Sequence, residues 1–296
     1  MDKTNLLFSI VIPAYNRAKF LPRAINSVLK QDVSNWELII VDDGSTDETG
    51  KIAKQYNDRR IKYVYQENKG EAGARNTGIK NAKATYICFL DSDDEYLEHH
   101  LKILQTYILE YNYPVFYIHT LGYKNKNGQS FKSVLDENKF NNINIGENPE
   151  VNCVCIHRKI LEKHKFNETF KMHPDAELWA RIAKEYPIKT IPEYTAITYI
   201  HENNISKGSV SMYYEMLKTY NHMFNDPGSI HYYLPKAKKK DRYEYIYFNL
   251  SRMLVKNGQI LKALLNISKL ITIPPLSLYN KKIISICKMI VRGYIK

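Results

Sequence analysis

Thr85-Tyr-Ile-Cys-Phe-Leu-Asp91-Ser-Asp93-Asp94 decides how the chain is read. It begins as a short apolar run rich in β-branched and aromatic residues, the pattern of a buried strand. It ends with three carboxylates in four positions. Carboxylates so close repel one another unless something positive sits among them. A hard divalent cation would serve, because such ions take oxygen ligands and are often held by one or two carboxylates plus substrate phosphates. The same residues also read as a solvated turn in which Asp93 or Asp94 caps the next helix.

Toward the N-terminus the pattern alternates. Phe8-Ser-Ile-Val-Ile-Pro13 reads as a buried strand, followed by the loop Ala14-Tyr15-Asn16-Arg17. Phe20 to Lys30 has helical periodicity. Trp36 to Val41 is a second strand, stopped by Asp42-Asp43-Gly44. Ser45-Thr-Asp-Glu48 has capping-box spacing and predicts a helix to about Tyr56. Ile61 to Tyr65 is a third strand, and Glu71 to Ala82 a helix carrying Arg75, Asn76 and Gly78. This alternation predicts an α/β fold with a parallel, doubly wound sheet flanked by helices. Ligands bind such sheets beyond the carboxyl ends of the strands. Tyr15, Asp42, Asp43, Arg75, Asp91 and Asp93 fall on that edge.

Toward the C-terminus, strands are expected at Tyr113–Leu121, Ser130–Val134, Val151–Ile156 and Tyr194–Ile200, and a short helix at Arg158–His164. Pro174 suits a first helical position, which puts Asp175 in the first turn of a helix. There Asp175 and Trp179 share a face, as do Glu177 and Arg181. From Val210 onward the pattern is helical, with segments at 212–224, 241–255, 259–270 and 278–295. The expected domains are 1–207 and a helical C-terminal extension, 208–296.

Composition limits the function classes. The chain has 296 residues, 44% of them hydrophobic and 25% charged, enough to bury a core and too apolar for wholesale disorder. Cys88, Cys153, Cys155 and Cys287 make neither a zinc spacing nor a disulfide framework, which suits a reducing cytosol. No secretory signal and no apolar run of about 18 residues is found. Residues 236–296 hold fourteen Lys/Arg and two acids, a difference equal to the net charge of +12 for the whole chain. The last segment, 278–296, mixes basic and apolar residues at helical spacing, as a helix lying on an anionic bilayer does.

Five motifs in order resemble the inverting family 2 glycosyltransferases of the GT-A (Rossmann-like) fold. They are Ser9-Ile-Val-Ile-Pro13-Ala-Tyr15-Asn16-Arg17, Val41-Asp42-Asp43-Gly44-Ser45-Thr46-Asp47, Gly73-Ala-Arg75-Asn76-Thr-Gly78, Phe89-Leu-Asp91-Ser92-Asp93-Asp94 and Asp175-Ala-Glu-Leu-Trp179-Ala-Arg181. The resemblance covers roughly residues 7–206. It implies a sugar transfer from a nucleotide-diphosphate donor, UDP by default, to a saccharide or lipid-linked saccharide acceptor. The default donor sugar is a hexose or N-acetylhexosamine. Residues 91–93 resemble a DxD motif holding Mn²⁺ or Mg²⁺, with Asp93 as the direct ligand and Asp91 and Ser92 nearer the nucleotide. Pro13, Tyr15, Asn16, Arg17, Asp42 and Arg75 would complete the nucleotide site. Asp175 matches the catalytic base, although Pro174 stands where the family commonly has Glu. Glu177 is the alternative base or an acceptor contact, Trp179 an acceptor platform, and His201 a group near the metal. The cysteine usage predicts a cytoplasmic protein, and the basic segment 278–296, which lies outside the resemblance, would hold it at the inner face of the cell membrane.

Three other readings compete. A nucleotidyltransferase would want a Gly-rich loop after the first strand, where this chain has Ala14-Tyr-Asn-Arg. A nucleic-acid binder would use the basic tail for phosphates, but its aliphatic stripes and the acid-rich strand ends argue against nucleic acid. A catalytically degenerate scaffold, or a membrane-associated binding protein, would not need carboxylates at 42, 91, 93 and 175.

Overall fold

A computed structural model describes residues 6–124, 130–131, 150–199, 209–271, 284 and 286–290. The chain divides into two compact units, Met1–His201 and Glu202–Lys296.

The first unit is built on one sheet. Its opening strands are β1 (Phe8–Ala14), β2 (Trp36–Asp43), β3 (Ile61–Gln66) and β4 (Tyr86–Phe89). They lie in the order β3-β2-β1-β4, all parallel. Their crossovers are α1 (Leu21–Leu29), α2 (Thr49–Lys54) and α3 (Gly70–Asn81). Every residue of β1 and β4 is buried, as near-continuous apolar strands covered on both faces must be. β3, at the edge, is only half-buried. The chain winds outward from β1 to β3 and returns to the other side of β1 at β4. The reversal falls between β1 and β4, where open α/β sheets form their ligand crevice.

Beyond β4 the parallel order gives way to a mixed one. A two-residue β5 (Glu95–Tyr96) and helix α4 (His100–Glu110) follow, then β6 (Val115–Lys124), β7 (Ser130–Phe131), β8 (Val154–His157) and β9 (Ile188–Tyr199). β8 joins β4 and β6 antiparallel, while β6 and β9 run parallel. Helices α5 (Arg158–Lys163) and α6 (Pro174–Glu185) lie between β8 and β9.

Several boundaries differ from the sequence reading. β9 starts at Ile188, ahead of Pro192, which cannot donate to a ladder. The strand accommodates it by a register shift: Ile118 pairs with Ile191 and His119 with Tyr194. The expected capping box does not form. α2 begins only at Thr49, and Glu48 in the cap position makes no side-chain cap hydrogen bond. Ser45 and Asp47 bond instead to the loop after β1, described below. α4 was expected only as the helix after the carboxylate turn, without bounds, and its N-cap position is His99 rather than Asp93 or Asp94.

Among the described residues the second unit contains helices α7 (Val210–Asn225), α8 (Lys236–Lys256) and α9 (Ile260–Ile271). Ala263, Asn266 and Ile267 on α9 are buried, whereas Leu261, Leu264 and Leu265 are exposed. Most of the segment 278–296 lies outside the described residues.

Candidate active site

At the carboxyl end of β2 the Asp42 carboxylate is 2% exposed. It accepts a hydrogen bond from the Tyr63 hydroxyl at 2.7 Å and one from the Ser45 N–H at 2.9 Å. Burial, then the charge of Asp42, raises the Tyr63 phenol above its usual range. A Cβ on Gly50 would lie 2.7 Å from the Tyr63 hydroxyl and 2.9 Å from Asp42 Oδ2, so glycine lets α2 approach this pair. An open cavity of about 730 Å³ lies here, lined by Asp42, Ser45, Lys51, Lys54, Tyr63 and Tyr65 among others. Asp43 instead bonds the Gln66 amide and the Lys69 N–H at 2.6 and 2.8 Å. It ties β2 to the loop before α3, the turn role that the sequence also allowed.

The loop after β1 leans on the same residues. Ser45 Oγ accepts from the Asn16 N–H at 3.0 Å, Asn16 Oδ1 accepts from the Thr46 N–H at 2.8 Å, and Asp47 accepts from the Ala18 N–H at 3.2 Å. Asn16 has φ 53°, a left-handed backbone that asparagine tolerates better than most residues. Tyr15 is exposed on this loop and Arg17 is half-buried. Pro13 and Ser92 are buried.

The helix α3 motif has three structural roles. A Cβ at Gly78 would overlap Val11, so this glycine allows α3 to pack on β1. Asn76 binds the main chain of Phe166 in both directions, at 2.9 and 3.0 Å. Arg75 is 2% exposed and pairs with Glu71 and, at 2.9 Å, with Asp91. That corrects its expected part as a contact to base or phosphate: the buried guanidinium pairs with the Glu71 and Asp91 carboxylates. Its pKa is raised despite burial, by the charges of Glu71, Asp91 and Asp175 in that order.

The carboxylate turn after β4 is held from three sides. Burial of the Asp91 carboxyl pushes its pKa up to about 7 against the pull of Arg75, with Glu71 and Asp93 adding to the rise. Arg23 of α1 donates to the Asp93 carbonyl and stacks 3.5 Å over the Tyr199 ring. Asp94 is buried and accepts from the Tyr199 N–H at 2.9 Å and from the Asn152 amide. It therefore does not cap α4. Asn152 also accepts from the Asp91 N–H at 2.7 Å.

Among the described residues no group of three or more His, Cys, Asp and Glu side chains forms a metal cage. Asp91 and Asp93 nevertheless supply the two carboxylates that a hard cation takes from protein when phosphates complete its shell. The residues present thus fit Mn²⁺ or Mg²⁺. His201 lies outside the described residues.

Asp175 opens α6, whose N-cap His173 has φ 56°. One turn on, Trp179 packs on Phe89 and Phe166 at ring distances of 6.3 and 5.8 Å. Phe89 is two residues before Asp91, so this contact fixes the start of α6 against the carboxylate turn. Trp179 is 3% exposed and is a core residue; no face of it is free to stack on an acceptor sugar. Glu177 is 2% exposed and pairs with Arg181 at 2.7 Å. That bond corrects its reading as an acceptor contact or alternative base. Asn152, Tyr63, Glu71, Arg23 and Tyr199 were missed. Only the Glu71/Arg75 spacing carried a signal.

A sheet with its crevice at the β1/β4 reversal, acid-lined at the carboxyl edge, is the GT-A (Rossmann-like) architecture expected from the sequence. Residues 9–170 match the model for glycosyl transferase family 2, and the chain belongs to that family. It is 35% identical over 188 residues to the Escherichia coli UDP-Glc:alpha-D-GlcNAc-diphosphoundecaprenol beta-1,3-glucosyltransferase WfgD, covering 62% of this chain and 73% of that one. An uncharacterized glycosyltransferase of Rickettsia conorii is 36% identical over 186 residues, which is 61% of this chain and 30% of that protein. The chain thus spans about a third of that relative's length. The fold is shared with S. aureus TarS 1–349 in complex with UDP-GlcNAc, at a TM-score of 0.65 and 22% identity over 98% of this chain and 89% of that one. It is also shared with the mannosyltransferase PcManGT from Pyrobaculum calidifontis in complex with GDP-Man and Mn²⁺, at a TM-score of 0.60 and 15% identity over 98% and 86%.

Proposed function

We propose that this transferase moves a hexose or N-acetylhexosamine from a UDP-linked donor to the hydroxyl of a saccharide or lipid-linked saccharide, with inversion. The observation that carries it is geometric: Asp91 at the end of β4 pairs with buried Arg75 at 2.9 Å, and Trp179, one turn after Asp175, packs on Phe89 two residues before Asp91. Asp42 lines the cavity suited to the base, and the loop after β1 is bonded to Ser45 and Asp47 of the same lining. Arg75 holds Asp91 in place beside the diphosphate. Asp175 takes the acceptor hydroxyl's proton as that oxygen attacks the anomeric carbon. The bond from that carbon to the phosphate oxygen breaks, and its electron pair leaves with the nucleoside diphosphate. Attack opposite the leaving group inverts the centre. When bound by Asp93 and Asp91, Mn²⁺ or Mg²⁺ supplies positive charge where the leaving diphosphate becomes more negative.

The acceptor side points to a lipid surface on the inner face of the cell membrane. α9 exposes Leu261, Leu264 and Leu265 beside Lys262 and Lys269, and no acid follows Glu244 in the sequence. A second copy would bring the same positive charge; an anionic bilayer complements it. Among the described residues no helix is long and apolar enough to cross a membrane.

Calorimetric titration with UDP, GDP and dTDP, with and without Mn²⁺, tests the donor site in wild type and Asp93→Ala. Tight binding of UDP that needs both Mn²⁺ and Asp93 is expected. Binding of no nucleotide under any condition would overturn the reading.

A further inference from the structure

We infer that Asn152 is a positioning residue that sets the shape of the Asp91–Asp94 turn, and with it the affinity of the site for a divalent cation and diphosphate. The inference rests on the donor site proposed above. Asn152 is 2% exposed and lies in a single 3₁₀ turn, Val151–Cys153, leading into β8. Its side chain touches both ends of the turn. The amide oxygen accepts a hydrogen bond from the Asp91 N–H, and the amide N–H donates one to Asp94 Oδ2. Asp94 passes the constraint on, because its other oxygen takes the Tyr199 N–H at the end of β9. Three segments distant in sequence are joined through one side-chain pair, and the two candidate cation ligands sit inside that bracket. Neither Asn152 nor Asp94 needs to touch the ligand for this to matter. Partners that orient metal ligands typically change metal affinity by about 10–100-fold when removed.

The polarity of the pair makes a reciprocal exchange possible. Asn152→Asp alone sets a second carboxylate against Asp94. Asp94→Asn alone can offer its oxygen to Asn152 or to the Tyr199 N–H, and its amide then meets a donor at the other. The double variant Asn152→Asp/Asp94→Asn restores every bond: the new carboxylate takes the Asp91 N–H and the new amide, whose oxygen takes the Tyr199 N–H. The full-length protein and these three variants are compared by Mn²⁺ titration in the presence of UDP, donor KM, kcat and Tm. Each single variant should bind Mn²⁺–UDP at least about tenfold more weakly, with a matching rise in donor KM. The double variant should return to within about threefold of wild type. Singles that bind like wild type would overturn the inference, as would a folded double variant no better than the singles. Asn152→Ala, which adds no charge, carries the same test if the exchanged variants do not fold: weakened binding at an unchanged far-UV spectrum supports it, unchanged binding overturns it. Wild type that binds neither Mn²⁺ nor UDP would instead overturn the donor site itself.

Discussion

Single side chains divide here into those that meet ligand and those that hold them. Asp175 belongs to the first kind in the proposed reaction. Asp175→Asn keeps the shape but cannot take a proton, so kcat should fall by about 10²–10⁴-fold. Donor binding by calorimetry should stay within about twofold, because the carboxylate turn is untouched. Equal loss of donor binding would mean that Asp175 acts through Arg75 instead. Gly78 belongs to the second kind. Gly78→Val would drive methyl groups into buried Val11 and should cost about 1–3 kcal/mol or more in denaturant unfolding. Val11→Ala in the same chain should return part of that loss. Asp42, Asp91 and Asp93 were visible because apolar strands stop at them, and Asp175 because it falls in a motif resembling the family's, since an acid in a first helical turn is common in itself. Arg75 and Trp179 were visible as residues and misread in role, since burial is a property of the packed neighbours and not of the residue type. Asn152 was invisible: nothing in Val151-Asn-Cys distinguishes a buried bracket from an ordinary strand entry.

At the level of elements, α4 depends on a neutral imidazole. His100, its first residue, is 1% exposed, stacks on Tyr96 and bonds Thr195 Oγ1 of β9 at 2.7 Å. Burial, with His99 adding to it, pushes its pKa down to about 3. The folded state thus refuses a proton that the unfolded chain accepts below about pH 6.5. Stability contributed by this group is complete above that pH and is lost as pH falls toward 3. Between pH 7 and 5 the loss amounts to about 2 kcal/mol. His100→Gln should be less stable at pH 7 and show a shallower fall, measured as the difference between the two urea midpoints at each pH. Identical slopes would mean that His100 does not titrate in this way. The strands and crossovers before residue 91 were legible because their periodicity and stop signals agree. The capping box was not, because Ser45 and Asp47 bind a loop nearly thirty positions away, and short-range spacing cannot weigh that competition.

Across the whole molecule, most of the net positive charge and most of the exposed large apolar side chains of the described residues fall in the second unit. Binding to vesicles with anionic headgroups should be tight at low salt and weaken strongly by 0.5 M NaCl, where the Debye length is roughly half that at 0.1 M. Vesicles of neutral lipid should hold little protein. Leu261→Ser/Leu264→Ser/Leu265→Ser should release it in a flotation assay, and removal of residues 278–296 should weaken it further. Unchanged flotation of both would remove the bilayer from the proposal. The fold class of each unit could be read from the sequence, but the mixed half of the sheet could not. Which strand lies beside β4 is decided by long-range pairing, and periodicity is silent on partners.

The position of β8 carries a consequence for biogenesis. β4 pairs with β1 on one side, and among the described residues its other edge is closed by residues 155–157. A nascent chain that has left the ribosome up to residue 150 has built the whole parallel half and still presents that edge, with its backbone groups unpaired. Such an edge is a template for another chain. Pausing of synthesis or truncation in this interval should therefore yield insoluble protein, while the finished chain buries the same strand at the centre of its sheet.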